Sequence, residues 1–193
     1  MLSYKESLKI LKETNALLEG HFILSSGLHS PQYIQCAQLL SKPWHALKIC
    51  TSLSKKIKKE FKKIDLILSP AIGGIVVGYE IGRILNIETI FCERVNNDFM
   101  LRRDFNIVKN SNILIIEDVI TTGKSSLECS KLAEDANANI LGYACIIDRS
   151  NGNSEIKQKI ISQIEINIPT YNKDNLPAEL SKIKVTKPGS RGI

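Results

Sequence analysis

Four apolar, β-favouring residues in a row, Ile113-Leu114-Ile115-Ile116, run directly into two acids, Glu117 and Asp118. The small polar stretch Val119-Ile120-Thr121-Thr122-Gly123-Lys124-Ser125-Ser126 follows. A strand that is apolar at every position has no wet face, so it belongs inside a sheet covered by helices on both sides. Residues 65–68, 88–92 and 140–147 read as further short apolar strands, and helices are expected over 43–61, from the glycine turn at 73–74 through Arg83, and over 125–136. Strand, loop and helix in alternation predict an α/β fold, a parallel sheet flanked by helices.

Outside this core the pattern is weaker. Residues 3–18 place Leu8, Leu11, Ala16 and Leu18 near helical spacing, with Gly20 as the stop. Residues 21–40 are polar and turn-rich, suited to a small hairpin or edge strand; 99–108 suit a hairpin arm; 164–193 suit an edge strand and then extended chain around Pro169, Pro177 and Pro188. In the 43–61 helix, Ile49, Leu53, Ile57 and Phe61 recur every four residues, while Lys55, Lys56, Lys58, Lys59, Lys62 and Lys63 crowd other positions, as on a solvated face. Trp44 is expected to pack at that helix start. A chain of 193 residues is expected to form one domain. Its N-terminal part, about 1–40, with some of the C-terminal tail would form a small hood on a core of about 44–163. At that size it buries roughly 70% of its unfolded surface and needs no covalent staple.

The excess of 26 basic over 20 acidic residues, a net charge of +6, favours an anionic partner. Nucleic acid, a membrane surface and a phosphorylated metabolite all qualify at this stage. No basic stretch is interleaved with aromatics, and no apolar run approaches membrane length, so neither nucleic acid nor membrane is expected. Five scattered cysteines form no C-x-x-C pair, and His21, His29 and His45 are isolated, read as surface or structural side chains. Neither a disulfide framework nor a protein metal site is expected. Residues 1–20 carry Lys5, Glu6, Lys9, Lys12 and Glu13 and no apolar signal core, so the expected location is the cytoplasm.

Open parallel sheets bind ligands beyond the carboxyl ends of their strands. The stretch after Ile116 lies at such an end and opens a helix, where unpaired backbone N–H groups and the helix dipole favour an anion. Thr121, Thr122 and Ser125 add hydroxyls, and Gly123 allows close backbone approach. Phosphate donors beside acids that accept from hydroxyls describe a sugar-phosphate site; the plain alternative is an N-capped helix after a buried strand. Gly123-Lys124-Ser125 also matches the end of a nucleoside-triphosphate loop, but its leading glycine position holds Asp118, which would repel a triphosphate.

The run I-L-I-I-E-D-V-I-T-T-G-K-S-S resembles the signature of the type I phosphoribosyltransferases. Phe22-Ile23-Leu24-Ser25-Ser26-Gly27, Ser30-Pro31-Gln32-Tyr33 and Ile146-Ile147-Asp148-Arg149 resemble its orotate-specific branch. Glu93-Arg94 and Leu101-Arg102-Arg103-Asp104-Phe105 resemble a short-loop group within that branch, and similarity extends over about residues 16–150. The resemblance implies transfer of a phosphoribosyl group from phosphoribosyl pyrophosphate to N1 of orotate, with Mg²⁺ carried on substrate oxygens, by a homodimer. It implies that Glu117 and Asp118 hold the ribose hydroxyls and that residues 117–125 (Val119, Ile120, Thr121, Thr122, Gly123, Lys124 and Ser125 after the acids) bind the donor. Thr121 would also reach orotate.

For Arg149 the resemblance implies a clamp on the orotate carboxylate, the alternative being a surface pair with Asp148. Ala71, Ile72, Gly73 and Gly74 would form the pyrophosphate loop, without the lysine some relatives have there; the alternative is a packed glycine turn. Ser25 stands where many relatives have a lysine. The loop at 95–98 lacks their Lys-x-His pair, which leaves Arg94, Arg102 and Arg103 as candidate catalytic cations, alternatively paired with Glu93 or Asp104. Lys187-Pro188-Gly189-Ser190-Arg191 also resembles the family. A purine-base transferase and a non-catalytic sensor of phosphoribosyl pyrophosphate are the competing readings.

Overall fold

The apolar run at 113–116 becomes the middle of the central strand. The structure is a computed structural model and describes residues 1–24 and 26–188. Its elements are α1 (Tyr4–Glu13), β1 (Leu17–Ile23), β2 (His29–Ile34), α2 (Cys36–Leu40), α3 (Pro43–Glu60), β3 (Leu66–Pro70), α4 (Gly73–Leu85), β4 (Thr89–Val95), β5 (Asp98–Leu101), β6 (Asn112–Ile120), α5 (Lys124–Asp135), β7 (Asn139–Asp148), β8 (Ile160–Glu165), α6 (Ala178–Ser181) and β9 (Val185–Thr186). Six strands form one sheet in the order β5-β4-β3-β6-β7-β8, parallel throughout except for the β4–β5 hairpin. Ser25, and Gly189, Ser190 and Arg191 of the tail motif, lie outside the described residues.

Successive side chains of a strand point to opposite faces, and both faces here are covered. Ile67, Leu114, Ile116, Ala144 and Ile146 pack under Ile49, Leu53 and Ile57 of α3 and Val77 and Ile81 of α4. Leu66, Leu68, Ile113, Ile115, Tyr143 and Cys145 pack against Cys129 and Ala133 of α5. Each aliphatic side chain buried in this way contributes about 1.5–3 kcal/mol. All five cysteines are buried and free. Lys56, on the lysine-rich helix, departs from a purely solvated face: its ammonium donates to Ser162 O and Gln163 O, both at 2.9 Å.

The first helix is shorter than expected. Ser3 caps it, reciprocally with Glu6, but it ends at Glu13, where Thr14 folds its hydroxyl onto Ile10 O at 2.7 Å and Asn15 turns left-handed. Residues 17 and 18 open β1 instead, because pairing with β2 (Leu17 with Ile34, Leu18 with Tyr33) satisfies their backbone. Gly20 stops no helix; it lies within β1, at the bulge between Glu19 and Phe22. Of the expected 99–108 arm only the start is strand, and β8 starts before the expected 164. Trp44 packs against little, being 78% exposed.

A second sheet, in the order β2-β1-β9, is built from the N-terminal hairpin and the tail. Of the two readings for His21 and His29, surface or structural, the second holds, and the two are not isolated. Both are buried, His21 Nε2 lies 2.6 Å from His29 Nδ1, and His21 Nδ1 lies 3.0 Å from Ile183 O. This pair ties the tail to the hairpin.

β3 leads through α4 to β4 on one side, and the chain then returns to β6 on the other. The strand order therefore reverses between β3 and β6, which opens a crevice at their carboxyl ends.

Candidate active site

The two acids stand in that crevice. β3 pairs with β6 only as far as Leu68–Ile115, but β6 continues to Ile120, held by β7 alone through Glu117–Cys145, Val119–Ile147 and Ile120–Asp148. The strand thus outruns its expected end at Ile116 because β7 supplies partners on one edge. The other edge is open where the chain leaves β3. Glu117 is 9% exposed, and neither acid joins an ion pair among the described residues. The Asp118 amide donates to Glu117 Oε1 at 3.2 Å, and the Val119 amide donates to Asp118 Oδ1 at 2.9 Å. Burial first, and the Asp118 charge second, push Glu117 up to about 9; burial also raises Asp118. Two adjacent carboxylates held in this way are a costly arrangement for the free protein and a ready acceptor for hydroxyl donors.

Residues 71–74 close the crevice from the β3 side. The Ala71 amide donates to Cys92 O at 2.8 Å, which ties the loop to β4. Gly73 and Gly74 open α4 without any side-chain cap, leaving their amides for a ligand. A β-carbon on Gly73 would sit 2.6 Å from Asp118 Cγ; on Gly74 it would sit 3.0 Å from Ile116 O and 3.3 Å from Glu117 Oε1. The loop and the acids therefore pack directly on each other. The Ala71–Ile72 peptide is cis, and Ile72 is 83% exposed.

Beyond the acids, Gly123 takes φ 84° and caps α5, which has no side-chain cap and no acid in its first turn. Glu155 N donates to Thr122 O at 2.9 Å, and Lys124 N to Thr122 Oγ1 at 3.3 Å, fixing the loop. Thr121, Thr122, Lys124 and Ser125 are exposed. Two expected contributors face elsewhere: Ile120 is 1% exposed within the core, and Val119 packs against the opposite core cluster. Only their backbone can serve a ligand.

Arg149 follows β7, and its amide donates to Ile120 O at 2.8 Å, which sets it beside Thr121. It forms no ion pair with Asp148; Asp148 Oδ1 instead accepts from the Ser150 amide at 2.7 Å. The Arg149 Nε is buried without a hydrogen-bond partner, and burial lowers its pKa, with Tyr33 of β2 acting in the opposite sense. A guanidinium left in this state is a site for an incoming carboxylate. Tyr33 belongs to the Ser30–Tyr33 segment of the resemblance, but its influence on Arg149 is set only by the fold.

The three remaining arginines separate. β4 and β5 are joined by a tight turn with Asn96 and Asn97 at φ 50° and 74°. Arg94 pairs with Glu128 of α5 and lies over the Phe99 ring at 4.2 Å. Arg103 pairs with Glu93 and lies over the Phe91 ring at 5.2 Å. Arg102 is exposed and in no ion pair among the described residues. Glu128 carries no signal in the sequence beyond its i,i+4 spacing from Lys124.

Residues 38–177 match the model of the phosphoribosyl transferase domain. An orotate phosphoribosyltransferase of Parvibaculum lavamentivorans is 44% identical over 189 residues, covering 96% of this chain and 97% of that protein. Among solved structures, an orotate phosphoribosyltransferase from Aeropyrum pernix has a TM-score of 0.72 at 20% identity, covering 82% of this chain and 92% of that one. The adenine phosphoribosyltransferase of Leishmania tarentolae has a TM-score of 0.63 at 16% identity, covering 85% and 89%. The fold is therefore shared across base specificities, and the near-full-length sequence identity is what separates them. The chain belongs to the orotate phosphoribosyltransferase family.

Proposed function

We propose that the β3–β6 crevice transfers the 5-phosphoribosyl group from phosphoribosyl pyrophosphate to N1 of orotate, giving orotidine 5′-monophosphate and pyrophosphate in pyrimidine synthesis. The observation that carries this assignment is the juxtaposition of an acid pair, Glu117 buried and Asp118 half-buried, a hydroxyl-rich helix start without an N-cap side chain, and a half-buried arginine whose Nε has no partner. Glu117 and Asp118 accept hydrogen bonds from the ribose hydroxyls, and the charge they carry once ionised favours the cationic character that develops at C1. The loop over Thr121–Ser125 holds the 5′-phosphate through backbone amides and hydroxyls. Arg149 takes the orotate carboxylate in two parallel hydrogen bonds, with Thr121 beside it. The amides at Gly73 and Gly74 receive the pyrophosphate. Arg102, uncommitted where Arg94 and Arg103 are engaged, is the cation we assign to the leaving group.

The residues fit Mg²⁺ carried by the substrate. Two acids face a hydroxyl-rich cleft, and the described residues hold no group of three or more acids, histidines or cysteines arranged as a metal cage. When bound with the donor, Mg²⁺ offsets the charge of the pyrophosphate.

We further read the chain as one domain, its three-stranded sheet a hood over the core, that acts as a cytoplasmic homodimer without nucleic acid or membrane. Five free, buried thiols suit a reducing compartment. Ile75, Val76 and Tyr79 of α4 line one apolar cavity with Thr89 and Phe91 of β4, and Val76 and Tyr79 are 46% and 66% exposed, a face that suits a second copy. No helix among the described residues is long and apolar enough to cross a membrane.

Mixing the protein with phosphoribosyl pyrophosphate, Mg²⁺ and orotate tests the assignment by loss of orotate absorbance. Turnover with adenine or hypoxanthine and not orotate would replace it with purine transfer; no turnover with any base would favour a sensor.

A further inference from the structure

The chain beyond Arg149 returns to the loop over Thr121–Ser125. At one end the Arg149 amide donates to Ile120 O at 2.8 Å; further on, the Glu155 amide donates to Thr122 O at 2.9 Å. Ile156, 7% exposed, anchors this segment in the core beside Cys129 and Ala133 of α5. Ser154 uses its hydroxyl twice. It accepts from the Ile156 amide at 3.1 Å, which folds a short turn around Glu155, and it donates to Thr122 O at 3.4 Å. Thr122 O is thus held by two donors from one segment. Gly123 packs on the same residues: a β-carbon there would sit 2.7 Å from Ser154 Oγ and 2.8 Å from Ile156 Cγ1. The Thr122–Gly123 peptide is trans, and a trans peptide sets its C=O and N–H in opposite directions. Pinning Thr122 O on residues 154–156 therefore aims the Gly123 amide away from them, and that amide has no hydrogen-bond partner among the described residues.

We propose that Ser154 is a positioning residue: its hydroxyl shapes the turn that holds Thr122 O, and through that carbonyl it fixes the Gly123 amide in the direction that donates to the 5′-phosphate. This rests on reading the loop over Thr121–Ser125 as the 5′-phosphate site. Ser154 itself touches no substrate in this role. Without the hydroxyl, the Ile156 amide loses its acceptor and Thr122 O loses one of its two donors. The 122–123 peptide is then free to rotate, and its amide meets the anion for only part of the time. Arg149 is held separately, by its own amide on Ile120 O, so the cost falls on the phosphate and not on orotate.

Ser154→Thr and Ser154→Val have nearly the same shape and differ in the hydroxyl, so any crowding against Gly123 is common to both. In titration calorimetry of the full chain with ribose 5-phosphate, Ser154→Val is expected to bind about three- to tenfold more weakly than Ser154→Thr. In steady-state kinetics the KM for phosphoribosyl pyrophosphate is expected to differ between the two by a similar factor, and the KM for orotate by less than about twofold. Ser154→Ala, which crowds nothing, is expected to weaken ribose 5-phosphate binding by the same factor relative to the natural chain. Equal affinity of Ser154→Ala and the natural chain overturns the proposal, whether or not the branched variants bind, as does equal affinity of Ser154→Thr and Ser154→Val. A KM that rises equally for both substrates also overturns it, since that is the mark of a general loosening of the fold. If the natural chain binds no ribose 5-phosphate, the phosphate-loop reading fails and this proposal fails with it, a result distinct from binding that ignores the Ser154 hydroxyl.

Discussion

Gly73 and Asp118 meet with no space between them: a β-carbon on the glycine would lie 2.6 Å from the aspartate Cγ. The first residue of α4 therefore defines where the second acid of β6 can stand, although 45 positions separate them in the chain. The loop at 71–74 and the acid pair form one packed unit.

Gly73→Ala tests that unit. The displaced group is the end of a side chain, so the fold can yield at about 1 kcal/mol or less. A shift of about 1 Å in an acid that positions substrate costs far more in rate, about 10²-fold. Turnover is expected to fall by that order with the melting midpoint within about 3 °C. A stable variant with natural turnover would show that Asp118 need not stand there.

The acid pair sets a pH dependence. Folding raises both carboxyls above their ordinary values of 4.5 and 3.8, Glu117 to about 9. Above pH 4.5 the folded state then holds protons that the unfolded chain has lost. Stability from this source is complete below that pH and declines as pH rises toward about 9. Glu117→Gln removes the titration. Its unliganded midpoint is expected to exceed that of the natural chain by about 2 °C or more at pH 8 and to match it at about pH 4. A difference of the same size at both pH values would mean that charging the pair costs the fold nothing.

For Arg149 the charge matters less than the fork. Arg149→Lys keeps a cation and loses the two parallel bonds, so the KM for orotate is expected to rise about tenfold or more, and further in Arg149→Ala. The KM for phosphoribosyl pyrophosphate is expected to move by less than about threefold. Steady-state kinetics with each substrate varied in turn separates the two; a rise confined to the donor would place Arg149 elsewhere in the reaction.

Arg102 and Arg103 are neighbours with opposite commitments. Arg102→Ala is expected to lower kcat about 10²-fold with little change in melting, as loss of one charge-stabilising donor does. Arg103→Ala removes the pair with Glu93 and the contact over Phe91, and is expected to lower the midpoint by about 2 °C with a smaller loss of rate. The reverse ranking of the two rates would move the leaving-group assignment to Arg103.

Tyr79, 66% exposed on the apolar face of α4, reports on assembly. Tyr79→Asp is expected to shift the sedimentation coefficient from dimer to monomer at micromolar concentration. An unchanged coefficient would direct the search for the interface to another face.

What could be read along the chain was what neighbouring residues settle among themselves. The recurrence of Ile49, Leu53 and Ile57 every four residues, close to the helical turn, specified α3, the unbroken apolar run specified a doubly covered β6, and acids, hydroxyls and glycine in one contiguous stretch specified the loop over Thr121–Ser125. Tertiary structure decided the rest, because strand length, burial and ion pairing depend on what lies alongside. β7 carried β6 on to Ile120 and turned Ile120 into the core. Pairing with β2 drew residues 17 and 18 out of the expected first helix. The hairpin brought His21 against His29, and only the packing of β4 and β5 on α5 committed Arg94 while leaving Arg102 uncommitted. Backbone preference and periodicity act over a few residues and are written locally; a side chain's partner is set by distances that close only when remote strands pair.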